Sequence, residues 1–165
     1  MLRSVIVFVW LGGAIASRIV GASNAEVGPT YAMLTKMQGS WKTACHSAGG
    51  GAQSGFVIDY LNVSFTQLDI KAHVFSDELC RVSVSQWPAR YHYVLGRPLT
   101  LASGDAVFEL NLTEITDPAE AWNLHPANLI KLESGQLLLG QTPSTDKPAT
   151  TRLDLLETQT PFVRR

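Results

Sequence analysis

The chain has 165 residues, with 13 Lys and Arg against 14 Asp and Glu, and 45% of its residues are hydrophobic. This length suits one domain, and the apolar content excludes a disordered chain. The charge balance also argues against a nucleic-acid binder, because such proteins need clustered basic residues to neutralise phosphates and only the terminal pair Arg164 and Arg165 forms a cluster. We therefore expect a small globular protein that does not bind nucleic acid.

The N-terminal segment has the pattern of an export signal. A basic residue precedes an apolar run over residues 5–16, and small residues follow it. This run is shorter than the roughly 20 residues that a membrane-spanning helix needs. The sequence therefore predicts a signal peptide over residues 1–25, cleaved after Ala25 or Ala16, and a single domain over residues 26–165. We expect a periplasmic or secreted protein without a permanent membrane anchor.

The two cysteines, Cys45 and Cys80, both follow the predicted signal peptide. Export to an oxidising compartment makes a disulfide the expected state of such a pair. A bridge between residues 35 positions apart should stabilise the fold by roughly 3 to 4 kcal/mol on the chain-entropy argument. A metal or redox role is disfavoured because the sequence contains no Cys-x-x-Cys.

Apolar and polar residues alternate between short clusters of Gly, Pro, Asn, Asp and Ser, which is typical of an all-β protein. The alternation predicts that Cys80, Val82 and Val84 point inward along one strand, and a three-residue hairpin loop is predicted over residues 133–135. One short helix is predicted over residues 30–38, directly after Pro29. The predicted strands cover residues 39–46, 56–63, 67–75, 80–85, 91–95, 107–115, 129–132, 136–140, 151–156 and 162–164.

A single antiparallel sheet of about eight to ten short strands leaves unpaired edges unless it closes. Closure of about eight strands gives a barrel whose interior is filled by side chains or holds one small ligand. The sequence therefore predicts an all-β, about eight-stranded antiparallel barrel that follows a short helical turn.

The segment Gly39-Ser40-Trp41 at the start of the first strand resembles the Gly-x-Trp that opens lipocalins and related calycin barrels. The resemblance implies that Trp41 plugs the closed end of the barrel. It also implies that an Arg from the last strands stacks over this ring, and Arg152 matches that position. Some small exported bacterial proteins that inhibit proteases or lysozymes combine the same Gly-x-Trp start with a disulfide and about eight strands.

No constellation of residues points to catalysis or to a metal. The four histidines, His46, His73, His92 and His125, are dispersed without metal-ligand spacing, and we expect them to be surface residues. No Gly-x-Ser-x-Gly nucleophile motif occurs. We therefore predict a protein that is not an enzyme and that needs no metal or cofactor.

Two functions fit these observations. The first is an exported protein that binds a small hydrophobic ligand in or at the mouth of the barrel, and the second is a periplasmic inhibitor or interaction module that acts through its loops. Four aromatic residues near predicted loops are the candidates for the ligand site, with core packing as the alternative role. They are Trp87, Tyr91, Tyr93 and Trp122.

Overall fold

The computed structural model describes residues 28–48, 55–115, 124–141 and 151–165, so the predicted signal peptide lies outside the described residues. One helix, α1 (Pro29–Met37), precedes the strands. The strands are β1 (Gly39–Lys42), β2 (His46–Ser47), β3 (Phe56–Val63), β4 (Gln67–Phe75), β5 (Ser83–Thr100), β6 (Ala106–Glu114), β7 (Ala127–Glu133), β8 (Gln136–Leu139) and β9 (Phe162–Arg164).

The strands form one antiparallel sheet that closes on itself. The hydrogen-bonded order around the barrel is β1, β9, β8, β7, β6, β5, β4 and β3, and β3 pairs again with β1. The two-residue strand β2 pairs with the start of β3. At the closure, Trp41 of β1 lies opposite Leu61 of β3 on one side and Arg164 of β9 on the other. The predicted all-β fold, an eight-stranded antiparallel barrel after a short helix, is therefore confirmed.

Strand β5 is one continuous strand of 18 residues, where the sequence predicted two short ones. Pro88 is tolerated because this half of β5 pairs with β4 alone, and β6 pairs only from Tyr91 onward. Ala89 and Tyr91 define the buried face, so the residues of opposite parity face outward. The inward orientation predicted for Val82 and Val84 is therefore wrong, and both side chains are exposed.

Residues 151–156 do not form the predicted strand. Leu156 makes a single bridge to Gly140, and Leu153 packs instead with Val107 and Leu129 in a small second cluster. Because Val107 and Leu129 have the opposite parity to the inward residues of β6 and β7, this cluster lies on the outside of the barrel. The apolar residues of segment 151–156, whose alternation predicted a strand, thus cover an apolar patch on the outside of the barrel.

The interior of the barrel is packed at the end that carries α1, which we call the helix end. Trp41 is 1% exposed, and its indole N–H donates a hydrogen bond of 2.9 Å to the carbonyl of Met37. Met33 and Met37, on the buried side of α1, pack in the same cluster. Trp41 therefore closes the helix end, as the resemblance to lipocalins implies.

The disulfide between Cys45 and Cys80 is confirmed, with the two Cα atoms 6.0 Å apart. It ties the connection after β1 to the turn between β4 and β5. Asp77 holds this turn, since its carboxylate accepts backbone N–H bonds from Leu79 and Val82. These bonds, with that of Val82 foremost, lower the pKa of the Asp77 carboxyl.

Candidate functional site

An arginine lies over Trp41, but it is Arg164 and not Arg152. The guanidinium carbon of Arg164 is 4.4 Å from the ring centroid. The same group donates hydrogen bonds to the carbonyls of Lys36 (2.6 Å) and Gln38 (3.0 Å), so it also neutralises the carboxyl end of α1. Arg164 is paired directly with Trp41 across β1 and β9, so its side chain lies next to the indole ring.

Arg152 has a different role from the one expected. Its guanidinium donates to the carbonyl of Asn128 at 2.7 Å and to the side-chain oxygen of Asn111. It therefore pins residues 151–156 to the outside of β6 and β7. The stacking predicted for Arg152 is wrong because its segment leaves the barrel wall, and β9 supplies the stacked arginine.

Of the four predicted ligand-binding aromatics, Trp87, Tyr91 and Tyr93 lie within the described residues. Tyr91 and Tyr93 are buried in the core, where the Tyr91 hydroxyl accepts the N–H of Leu124 (2.9 Å) and the Tyr93 hydroxyl donates to a backbone carbonyl (2.6 Å). Burial raises the pKa of both phenols. Trp87 is half-buried, and Trp122 lies outside the described residues. The arrangement of Tyr91 and Tyr93 matches the core-packing alternative.

A cavity of about 440 Å³ occupies the other end of the barrel, which we call the far end. Thr43 and Asp59 line it one inward pair beyond Trp41 and Leu61, so it begins where the packed core stops. Leu124 both lines the cavity and packs against the core. The described lining residues are Thr43, His46, Ser47, Ala48, Asp59, Ile70, Leu124, Leu139, Gly140, Glu157, Gln159, Thr160 and Phe162.

Asp59 is the unusual member of this lining, because it is a carboxylate only 6% exposed in the wall of an apolar barrel. Within the described part of the chain, its Oδ1 atom has no hydrogen-bond partner. Burial raises the pKa of Asp59 from 3.8 to about 6, and the nearby His46 opposes part of this rise. A buried polar atom without a partner is costly, and such atoms occur where a ligand supplies the missing bond.

His46 and Thr43 hold Asp59 in place. The Nε2 atom of His46 lies 3.5 Å from Oδ2 of Asp59, and its Nδ1 atom lies 3.1 Å from the carbonyl of Ala44. Thr43 Oγ1 accepts the backbone N–H of Asp59 at 2.9 Å. His46 thus engages only one carboxylate oxygen, and Oδ1 remains the atom that can accept a bond from a ligand.

A second carboxylate, Glu157, lines the same cavity. Its backbone N–H donates to the Leu139 carbonyl at 2.9 Å, and its Oε1 accepts the N–H of Gln159 at 2.8 Å. Among the described lining residues there is no Lys or Arg. The cavity therefore combines apolar side chains with polar ones and two carboxylates, and His46 is the one basic side chain that these residues offer.

A larger groove of about 590 Å³ lies on the outer surface of β1, β3, β4 and β5. Its outward side chains include Tyr60, Lys71 and the Asp69–Arg90 ion pair. This groove is open, and its charged groups face solvent, where an ion pair contributes little binding energy. We therefore take the smaller cavity, which has a buried and unpaired polar atom, as the candidate site.

The sequence contained a signal for Asp59 that the analysis of motifs missed. In β3, Val57, Leu61 and Val63 point inward with period 2, and Asp59 has the same parity. A charged residue on the apolar face of a strand indicates a site that folding alone does not explain. His46 gives no comparable signal because β2 has only two residues, and Glu157 lies outside the strands.

The fold and the cavity define the chain as a closed eight-stranded antiparallel β-barrel that is packed at the helix end and hollow at the far end. No protein-family model and no curated protein matches the sequence. The helix in the described residues is too short and too polar to cross a membrane. Within those residues, no three side chains of His, Cys, Asp or Glu are grouped as a metal site requires.

Proposed function

We propose that the protein is an exported, non-enzymatic binding protein of the lipocalin-like type, which takes a small, largely apolar molecule into the cavity at the far end of the barrel. The cavity of about 440 Å³ beside Asp59 carries this proposal. Its volume lies within the range of about 300 to 1,000 Å³ that is typical of small-molecule sites, and its walls include Ile70, Leu139 and Phe162. The Cys45–Cys80 disulfide supports an oxidising compartment.

The test is native mass spectrometry of the chain purified without denaturation from its native compartment. We expect a bound small molecule in the wild-type protein and its loss in Thr160→Trp, because Thr160 lines the cavity and a larger side chain there occupies it. Thr113→Trp is the matched control, since Thr113 is exposed on β6 and outside the cavity lining. A ligand retained equally by both variants would place binding elsewhere and contradict the proposal.

An interaction with a protein partner is the second candidate function. The observation that favours it is a set of apolar side chains exposed near the disulfide, Leu79, Val82 and Val84, each at least 58% exposed. Chemical cross-linking of the exported protein in its native compartment tests this role. A defined partner that is lost in Val84→Ser, while Thr160→Trp still captures it, would favour this function over small-molecule binding.

A further inference from the structure

We propose that the ligand of the far-end cavity is an organic cation, a molecule with an apolar body and a protonated amine that donates a hydrogen bond to Oδ1 of Asp59. This inference rests on the proposed binding function and names the chemical class of the ligand. It also predicts that apolar carboxylates, such as fatty acids, are rejected.

The first argument is the state of Asp59. Its side chain is 9% exposed, yet Oδ1 has no hydrogen-bond partner within the described residues. A buried acceptor of this kind retains its desolvation cost until a donor arrives. His46 lies near Oδ2 and Thr43 bonds the backbone, so neither occupies Oδ1.

The second argument is the sign of the charge in the cavity. Asp59 and Glu157 both line it, and the described lining contains no Lys or Arg. An ammonium group therefore gains attraction from both carboxylates, whereas a carboxylate ligand meets two like charges in a poorly solvated space. Charge-assisted hydrogen bonds are about twice as strong as neutral ones, which favours an amine over an alcohol.

The third argument is the grouping of polar residues around Asp59. Asp59 lies on β3, His46 on β2 and Thr43 in the segment between β1 and β2. The apolar side chains of the lining include Ile70 on β4 and Leu139 on β8, and Glu157 lies beside Leu139. A ligand with a charged end and an apolar body can place its charge at Asp59 and its body along these apolar side chains.

The experiment compares three probes that share one apolar body, namely octylamine, 1-octanol and octanoate, by isothermal titration calorimetry at neutral pH. The full exported chain is titrated as wild type, Asp59→Asn, Asp69→Asn and Thr160→Trp. Asp69→Asn is the matched control, because it removes the same charge from the outward face of the neighbouring strand β4. The series is repeated with 2-phenylethylamine, 2-phenylethanol and 3-phenylpropanoate.

We expect amine binding to the wild type that weakens about tenfold or more in Asp59→Asn, is unchanged in Asp69→Asn and is lost in Thr160→Trp. Equal or tighter binding of the alcohol or the carboxylate, blocked by Thr160→Trp, would overturn the cation inference and leave the binding function standing. Absence of binding by all six probes would count against both. The comparison of probes on the wild type decides the inference even if Asp59→Asn does not fold.

Discussion

At the residue scale, Trp41 joins the sequence motif to the packed end of the barrel. Its ring is 1% exposed and contacts a cluster formed by α1 and several strands. We expect Trp41→Ala to lower the free energy of unfolding by about 3 to 5 kcal/mol, because the truncation leaves a large cavity. Urea unfolding measures this loss, with Trp87→Ala at the half-buried Trp87 as the comparison. Equal stability of Trp41→Ala and wild type contradicts the assignment of Trp41 as the barrel floor.

Arg164 and Arg152 give a sharper test of the same site. We expect Arg164→Ala to be coupled to Trp41→Leu by about 0.5 to 1 kcal/mol, as a cation over an aromatic ring at an exposed position is. Arg152→Ala should show no such coupling, because its guanidinium bonds Asn128 instead. A double-mutant cycle by urea unfolding measures both energies. Coupling to Arg152 and none to Arg164 would restore the arrangement implied by the lipocalin resemblance.

Asp59 predicts a specific dependence of stability on pH. Its pKa is raised from 3.8 to about 6 by burial, so the folded state binds its proton more tightly than the unfolded state. The stability contributed by the protonated form is present below pH 3.8 and is lost as the pH rises through about 6. Asp59→Asn lacks this loss, so its stability relative to wild type should increase by about 2 to 3 kcal/mol between pH 3 and pH 7.

The measurement is urea unfolding of the ligand-free protein at several pH values across that interval. The quantity compared is the difference in the free energy of unfolding between Asp59→Asn and wild type, followed as the pH changes. Any effect of the substitution that does not depend on pH then cancels. Asp69→Asn serves as the control, because Asp69 faces the outer groove and pairs with Arg90. A difference between Asp59→Asn and wild type that stays constant with pH would contradict the burial of an ionisable carboxyl.

At the scale of elements, Gly39 explains how α1 passes into β1. Its φ angle is +118°, and a Cβ atom there would lie 2.9 Å from a guanidinium nitrogen of Arg164. We therefore expect Gly39→Ala to destabilise the protein by about 1 to 3 kcal/mol. Thermal unfolding measures it, and Gly28→Ala is the control because nothing lies within 4 Å of a Cβ built at Gly28.

The double variant Gly39→Ala with Arg164→Ala separates the two causes. If backbone strain dominates, removal of the Arg164 side chain restores little stability, since the positive φ persists. Restoration of most of the stability would instead attribute the glycine to the space that the arginine requires. Unchanged stability of Gly39→Ala would contradict both explanations of the glycine in Gly-x-Trp.

Some strands could be predicted from the sequence and others could not, for physical reasons. The bounds of β3, β4 and β9 were predicted as observed, and in β4 the reason is a clean alternation of apolar and polar residues. In β5 the sequence predicted two short strands, and only the pairing shows that Pro88 is tolerated where β5 pairs with β4 alone. Residues 151–156 alternate like a strand but cover an outer surface, a distinction that depends on which face of the barrel they meet.

At the scale of the whole molecule, the candidate site depends on closure of the barrel. Parity alone places Asp59 inward, but Glu157 and Leu124 reach the cavity from segments remote in sequence. Aromatic residues near loops were the predicted ligand site, but Tyr91 and Tyr93 are core residues. The cavity exists because side chains fill the helix end of the barrel and leave the far end hollow. No local sequence pattern reveals this difference between the two ends.

The same closure makes ligand binding a property of the folded state alone, so an amine that occupies the cavity should stabilise the protein and do so with a defined pH dependence. At about 100 times its Kd, a ligand adds about 2.7 kcal/mol to the free energy of unfolding. We expect the stabilisation by octylamine to decline as the pH falls through about 6, because protonated Asp59 no longer attracts an ammonium group.

Among the described residues, the titratable side chains that line the cavity beside Asp59 are His46 and Glu157, so each needs its own variant in this measurement. Thermal unfolding with and without octylamine is followed from pH 5 to pH 8 in wild type, His46→Gln, Glu157→Gln and Asp59→Asn. If Asp59 controls binding, the decline persists in Glu157→Gln and in His46→Gln, where its midpoint moves to higher pH because His46 lowers the pKa of Asp59. The decline disappears, together with most of the stabilisation, in Asp59→Asn. A midpoint that survives in Asp59→Asn and vanishes in His46→Gln would assign the pH dependence to the imidazole, and the carboxylate would then lose its role as the binding group for the amine.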